Sequence, residues 1–214
     1  NVKTKIFVIR TGIDIERFRK GNPDYIRHTF NIPPQTPVLL SCGRLGPEKN
    51  PETLLRAFAL IQRQIDCYLV LVGDGPLQRS LMEIANQLDM AHRIIFAGKV
   101  PPDIMPHMYA GADLFLFASV TETQGLVIAE AKSAGVPCVA VGALGVKDMV
   151  EHNVDGYLCE NAPEHIAEKA LALLEDQELL STMKSNALAN AAKFSLETTC
   201  NKLLECYKQV IQGA

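Results

Sequence analysis

A chain of 214 residues that is 48% hydrophobic can bury one good core, or at most two small ones. Its net charge of −3 gives no electrostatic reason to expect nucleic acid as a partner. No apolar run approaches the ~18 residues of a membrane span, and no signal peptide is recognisable.

In chain order, the first expected element is a strand at 5–9, "KIFVI", directly after Asn1. The first methionine is Met82, so the sequence is expected to be a piece of a longer protein. Residues 10–36, punctuated by Gly12, Gly21, Pro23, Pro33 and Pro34, read as an irregular lead-in. Short β-branched runs then mark strands at 38–42, 67–72, 93–98, 113–118 and 137–141. Their near-continuous hydrophobicity indicates cover on both faces, as in a parallel sheet. Helical patterns lie between them at 51–64 (Asn50 as N-cap, Pro51 at the first position), about 76–88 and 124–134, with a Pro-interrupted piece around 102–110. "DGYLC" (155–159) predicts one more short strand, and helices follow at about 163–175, 177–192 and 196–211. The alternation defines an α/β doubly wound, Rossmann-like domain covering 1–214, with extra C-terminal helices. Six cysteines (Cys42, Cys67, Cys138, Cys159, Cys200 and Cys206) lack C-x-x-C spacing. They read as small hydrophobes in a reducing compartment.

Ligands of such a sheet sit outside the carboxyl ends of its strands, which selects the loops "GRLGPEKN", "GDGP", "GKVPP", "SVTETQG" and "VGALGVKD". In the first, Arg44 and Lys49 stand beside a helix start, a ready site for a diphosphate; alternatively they are surface cations, with Lys49 pairing Glu48 or Glu52. "VGDGP" has Gln78 where a dinucleotide fingerprint needs its third glycine, so Gly73 to Pro76 reads as a tight strand-to-helix turn. "TETQGLVIAEA" carries two carboxylates. Glu122 lies in a polar loop before free backbone amides. Glu130 lies about two turns into a helix that is otherwise apolar. A buried carboxylate needs a partner: a cation (Lys132 is on a different side of the helix), a proton, or the diol of a ligand such as a ribose. No D-x-D, H-x-x-x-H or G-x-S-x-G is present, and of five dispersed histidines only His107 falls near the expected ligand face.

Together, "VIRTGIDIERF", "GRLGPEKNPETLLRAF", "LVLVGDGP", "IIFAGKV", "YAGADLFLFAS", "TETQGLVIAEAKSAGVPCVAV" and "VDGYL" resemble the C-terminal, nucleotide-sugar-binding half of the group 1 retaining glycosyltransferases of the GT-B fold. The most specific piece is the glutamate, seven residues, glutamate spacing of Glu122 and Glu130, combined with Arg44 and Lys49. The resemblance implies that Arg44 and Lys49 bind the donor diphosphate and stabilise its leaving charge. It implies that Glu122 contacts the donor sugar and that Gln124, Gly125 and Leu126 offer backbone amides. Glu130 would hold the ribose, and backbone at Lys99 and Val100 would meet the base. It further implies transfer of a hexose with retention, without metal or cofactor, from a UDP-sugar rather than a GDP-sugar.

The acceptor-binding N-terminal domain is expected to be absent. This piece would therefore bind nucleotide and transfer little sugar, and helix 196–211 would keep apolar surface for the absent half. Gln124 replaces a common Phe, Arg10 a usual Pro, and Lys147 a frequent Pro. "TETQGL" with "GALGVKDMV" resembles the branch of glucosyltransferases acting on diacylglycerol. That branch implies a lipid or glycan acceptor and a cytoplasmic protein, peripheral at the inner membrane face only through the missing half. Competing expectations are a sugar-nucleotide epimerase or phosphorylase of the same fold, and a non-catalytic nucleotide-binding module.

Overall fold

The computed structural model describes residues 6–212. The strands β1 (Val38–Cys42), β2 (Tyr68–Val72), β3 (Ile94–Gly98), β4 (Leu114–Phe117), β5 (Cys138–Val141) and β6 (Gly156–Cys159) form one parallel sheet. Their order is β3-β2-β1-β4-β5-β6. Every residue of β1, β4 and β5 is buried, because helices cover both faces. Alternate side chains feed two cores. Leu39, Leu69, Leu71, Leu114 and Val139 pack under α3 (Pro51–Gln62), α4 (Gln78–Gln87), α7 (Pro163–Glu175) and α8 (Gln177–Ala191). Leu40, Val70, Phe115 and Ala140 pack under α1 (Ile15–Arg19), α2 (Tyr25–Phe30), α5 (Met105–Ala110) and α6 (Leu126–Ser133). Residue period two in the strands is what splits one sheet into two cores.

Three expectations need correction. Residues 6–9 form no strand, and Ile6 and Val8 are 74% and 81% exposed; Lys5 lies outside the described residues. β-propensity in a short apolar run makes a strand only where it joins a sheet, and among the described residues the sheet consists of the six strands above. The lead-in 10–36 is not uniformly irregular, since it contains α1 and α2. Asp14 caps α1 by accepting from the Arg17 amide at 3.1 Å, and Phe18 and Ile26 anchor the two helices in the core. Each is under two turns long, too short for an apolar stripe to declare itself. Asn50 does precede α3, but at φ 52° its side chain does not cap the helix. Its Oδ1 accepts from the Thr53 hydroxyl at 2.9 Å, and its amide donates to Asn161 at 2.7 Å.

The turn at Gly73 behaves as expected. Its φ is +123°, and a Cβ there would meet the Gly43 carbonyl oxygen at 2.0 Å. That approach lets the loops after β1 and β2 close on each other. At the other end of the chain, α9 (Leu196–Gln212) buries no residue, and Leu204, Tyr207, Val210 and Ile211 stand exposed along it. Among the described residues no helix is long and apolar enough to cross a membrane.

Candidate functional site

The strand order reverses between β1 and β4, and the loops leaving these two strands diverge around a crevice. Side-chain contacts tie them across it. Lys49 forms an ion pair with Glu122, both largely shielded from solvent, and the Ser119 hydroxyl donates to the Glu48 carbonyl at 3.1 Å. Lys49 therefore pairs with neither Glu48 nor Glu52. Glu48 lies 3.7 Å from Arg44, and Glu52 binds Arg56 at 2.6 Å. Arg44 is 66% exposed and loosely held, so its guanidinium is available to a ligand. Beside this pair lies a cavity of about 370 Å³ lined by Gly43, Arg44, Lys49, Glu122, Gly125 and Leu126, among others.

The start of α6 forms one wall. Gly125 precedes it at φ 69°, a left-handed conformation that glycine adopts without strain, and no side chain caps the helix. The helix's partial positive end therefore abuts the cavity together with two cations. Gln124 has another duty. Its side-chain amide donates to the Thr11 carbonyl at 2.8 Å and its carbonyl accepts from the Thr11 amide at 3.3 Å. It thereby straps the lead-in to the helix start. The Glu122 carbonyl accepts from the Gly145 amide at 3.0 Å, so the loop after β5 supports the carboxylate loop from behind.

Glu130, further along α6, has a partner that none of the sequence options named. The Tyr109 hydroxyl donates to its Oε2 at 2.7 Å. Burial pushes the Glu130 carboxyl above the usual carboxylate range, with the phenol and the Arg17 guanidinium partly opposing. Tyr109 has no exposed surface; its ring meets Phe18 edge-on at 5.6 Å and Phe115 at 5.8 Å. Burial raises this phenol well above its ordinary value and also raises the neighbouring Cys42 thiol. Lys132 does face another side of the helix. There it is buried against Asp155 at 2.6 Å and donates to the Met149 carbonyl at 2.9 Å.

The remaining expected residues fall elsewhere. Lys99 and Val100 follow edge strand β3 and do not line the cavity; Lys99 is exposed and pairs Asp74 at 3.0 Å. Arg10 binds Asp148 at 2.5 Å, and Lys147 is exposed in the short 3-10 turn Leu144–Asp148. The Nδ1 of His107 accepts from the Asn22 amide at 2.9 Å with its ring against Tyr25, a structural arrangement. Among the described residues the cysteines are free, and no cluster of three or more His, Cys, Asp or Glu could hold a metal ion. Tyr109 was missed because it stands 21 residues from Glu130 in sequence; the only signal was a tyrosine at the end of the helix before β4.

Residues 24–189 match the family model described as Glycosyl transferases group 1. The chain belongs to that family. It is 34% identical over 218 residues to D-inositol 3-phosphate glycosyltransferase of Nocardia farcinica, covering 98% of this chain and 48% of that protein. It is 31% identical over 176 residues to N-acetyl-alpha-D-glucosaminyl L-malate synthase of Bacillus anthracis, covering 82% and 46%. This group 1 chain thus spans about half the length of the curated relatives it matches. Among solved structures, Anabaena HepE in complex with UDP superposes with a TM-score of 0.86 at 29% identity, over 95% of this chain and 57% of that one. The same protein with UDP-glucose gives 0.85 at 28%, over 95% and 57%.

Proposed function

We propose that this chain is the donor-binding part of a glycosyltransferase that moves a hexose from a nucleoside-diphosphate sugar, UDP-linked in preference to GDP-linked, to an acceptor hydroxyl held by the other half of the protein. The observation that carries the reading is the Lys49–Glu122 pair, which bridges the β1 and β4 loops beside an uncapped helix start. A diphosphate entering the crevice would claim Lys49 and Arg44, both cations that suit its oxygens. Glu122, released from the lysine, would then accept hydrogen bonds from the hydroxyls of the donor sugar. As the glycosidic bond breaks, negative charge grows on the departing diphosphate, and two fixed cations with a helix N-terminus stabilise it more than the ground state. This electrostatic machinery needs neither a metal nor a cofactor.

Transfer in this reading proceeds with retention, on the face that the leaving group vacates. Glu122 serves as a sugar contact and not as a covalent nucleophile. One structural neighbour supports the choice of donor: HepE was solved with UDP and with UDP-glucose. The acceptor is a separate matter. The lipid or glycan suggested by the branch resemblance has no counterpart in the relatives' names, which speak of D-inositol 3-phosphate and L-malate, small polar molecules. Any contact with a membrane surface is assigned to the half outside this chain, as is the surface that covers α9.

The test is a calorimetric panel of UDP, GDP, ADP and their glucose conjugates. UDP and UDP-glucose are expected to bind most tightly. A folded sample that binds none of the six overturns the donor-site reading.

A further inference from the structure

We propose that Tyr109 is the positioning residue of Glu130: its buried hydroxyl fixes one carboxylate oxygen and leaves the other to accept the ribose hydroxyls of a nucleoside diphosphate. This rests on the donor-site reading above and adds to it a residue that itself never touches the ligand, since Tyr109 has no exposed surface.

The geometry argues for positioning over simple packing. An ionised carboxylate can accept about four hydrogen bonds. Among the described residues, Glu130 accepts one, from Tyr109 at 2.7 Å. A cation in that place would neutralise the carboxylate and compete for both oxygens, as a bidentate arginine does. A single phenol instead sets the orientation and leaves the carboxylate still in need of donors, which a vicinal diol supplies in pairs. The phenol is itself immobilised between Phe18 and Phe115, so the donor cannot swing away. The titratable and charged groups facing Glu130 are Tyr109 from α5, the Cys42 thiol at the end of β1, and Arg17 from α1. Arg17 spends its guanidinium on the Pro102 carbonyl, so it contributes charge from nearby without bonding the carboxylate.

The experiment measures UDP and 2′-deoxy-UDP affinities of the chain by calorimetry from about pH 5 to pH 8. It compares wild type with Tyr109→Phe, Glu130→Gln and the double variant. Wild type is expected to prefer UDP over its deoxy form and to lose affinity as the carboxyl takes a proton at low pH. Tyr109→Phe should weaken UDP binding about tenfold and narrow the ribose preference, because the ring stays and only the donor goes. Its loss of affinity should also begin at higher pH, since burial then acts on the carboxyl without the opposing phenol. Glu130→Gln should flatten the profile, and adding Tyr109→Phe to it should change nothing further. Tyr109→Met, equally without a donor, repeats the measurement if the phenylalanine variant folds poorly. UDP binding by Tyr109→Phe with the wild-type pH profile and ribose preference overturns this inference alone, even if affinity drops uniformly. A folded wild type that binds no UDP overturns the donor-site reading and this inference with it.

Discussion

Two sides of one helix treat charge in opposite ways. On one side of α6, Lys132 is 2% exposed and Asp155 is fully buried, and every polar group around them is engaged. Lys132 donates to the Met149 carbonyl, and Asp155 accepts from the Glu151 amide at 2.9 Å and from the Asn190 side chain at 2.7 Å. The lysine also sits 5.1 Å from the centre of the Phe194 ring. Two residues earlier, on the other side, Glu130 has a single neutral donor. A closed network of this kind holds the 149–155 segment and α8 against α6. The half-satisfied carboxylate has no comparable structural return. The difference separates a charge fully engaged within the fold from a carboxylate that keeps hydrogen-bonding capacity to spare.

The closed side is the more sensitive to substitution. Asp155→Ala should destabilise the chain by about 3–5 kcal/mol, because it leaves a buried, unpaired lysine. Replacing both partners, Lys132→Met with Asp155→Leu, should recover most of that loss; chemical denaturation measures both. An intermediate case is Asp113, whose carboxylate binds Arg27 at 2.7 Å, Lys184 at 3.1 Å and the Val38 amide at 3.0 Å. Burial works against its ionisation, but Lys184, the amide and Arg27 together hold its carboxyl below the usual range. A depressed folded value means that the stability from this group is present above the ordinary carboxylate pKa of 3.8 and is lost as pH falls through the folded value. Asp113→Asn should cost about 2 kcal/mol at neutral pH and should remove that acid-side dependence in melts taken against pH.

Glu130 carries the opposite sign. Its folded value is raised, so its contribution is fully present below the ordinary value of 4.5 and is lost as pH rises through the folded one. Glu130→Gln should therefore leave stability at neutral pH unchanged or raise it by less than about 1 kcal/mol, while weakening nucleotide binding. A large loss of stability would move Glu130 to the structural side of the comparison. At the small end, Arg56→Ala removes an exposed i,i+4 pair with Glu52 and should shift stability by under about 0.5 kcal/mol in the same denaturation assay.

The sheet was legible because β1, β4 and β5 are buried on both faces, which requires unbroken apolar runs with turn residues between them. The apolar run at 5–9 carried the same signature, yet its described residues 6–9 are not strand, and sequence alone does not distinguish the two. Helices α1 and α2 escaped because their order comes from single anchors, Phe18 and Ile26, and not from periodicity. That Arg44, Lys49 and Glu122 lie close together was readable because topology places the loops after β1 and β4 side by side. Their pairing was not, since Lys49 meets a carboxylate 73 residues away and not the glutamates beside it. The need of Glu130 for a partner was readable from an apolar helix; the identity of that partner depended on how α5 packs on α6.

The proposed donor site places a nucleoside diphosphate in the crevice between β1 and β4. A larger open cleft of about 550 Å³, lined by Ile13, Asp14, Arg19, Ser195 and Asn201 among others, offers a rival location on the same chain. Backbone amide shifts recorded while UDP is titrated into the chain decide between them. With the diphosphate in the crevice, the largest changes fall at residues 43–49 and 122–130. Changes centred on residues 13–19 and 192–201, with the first two segments unmoved, would contradict it.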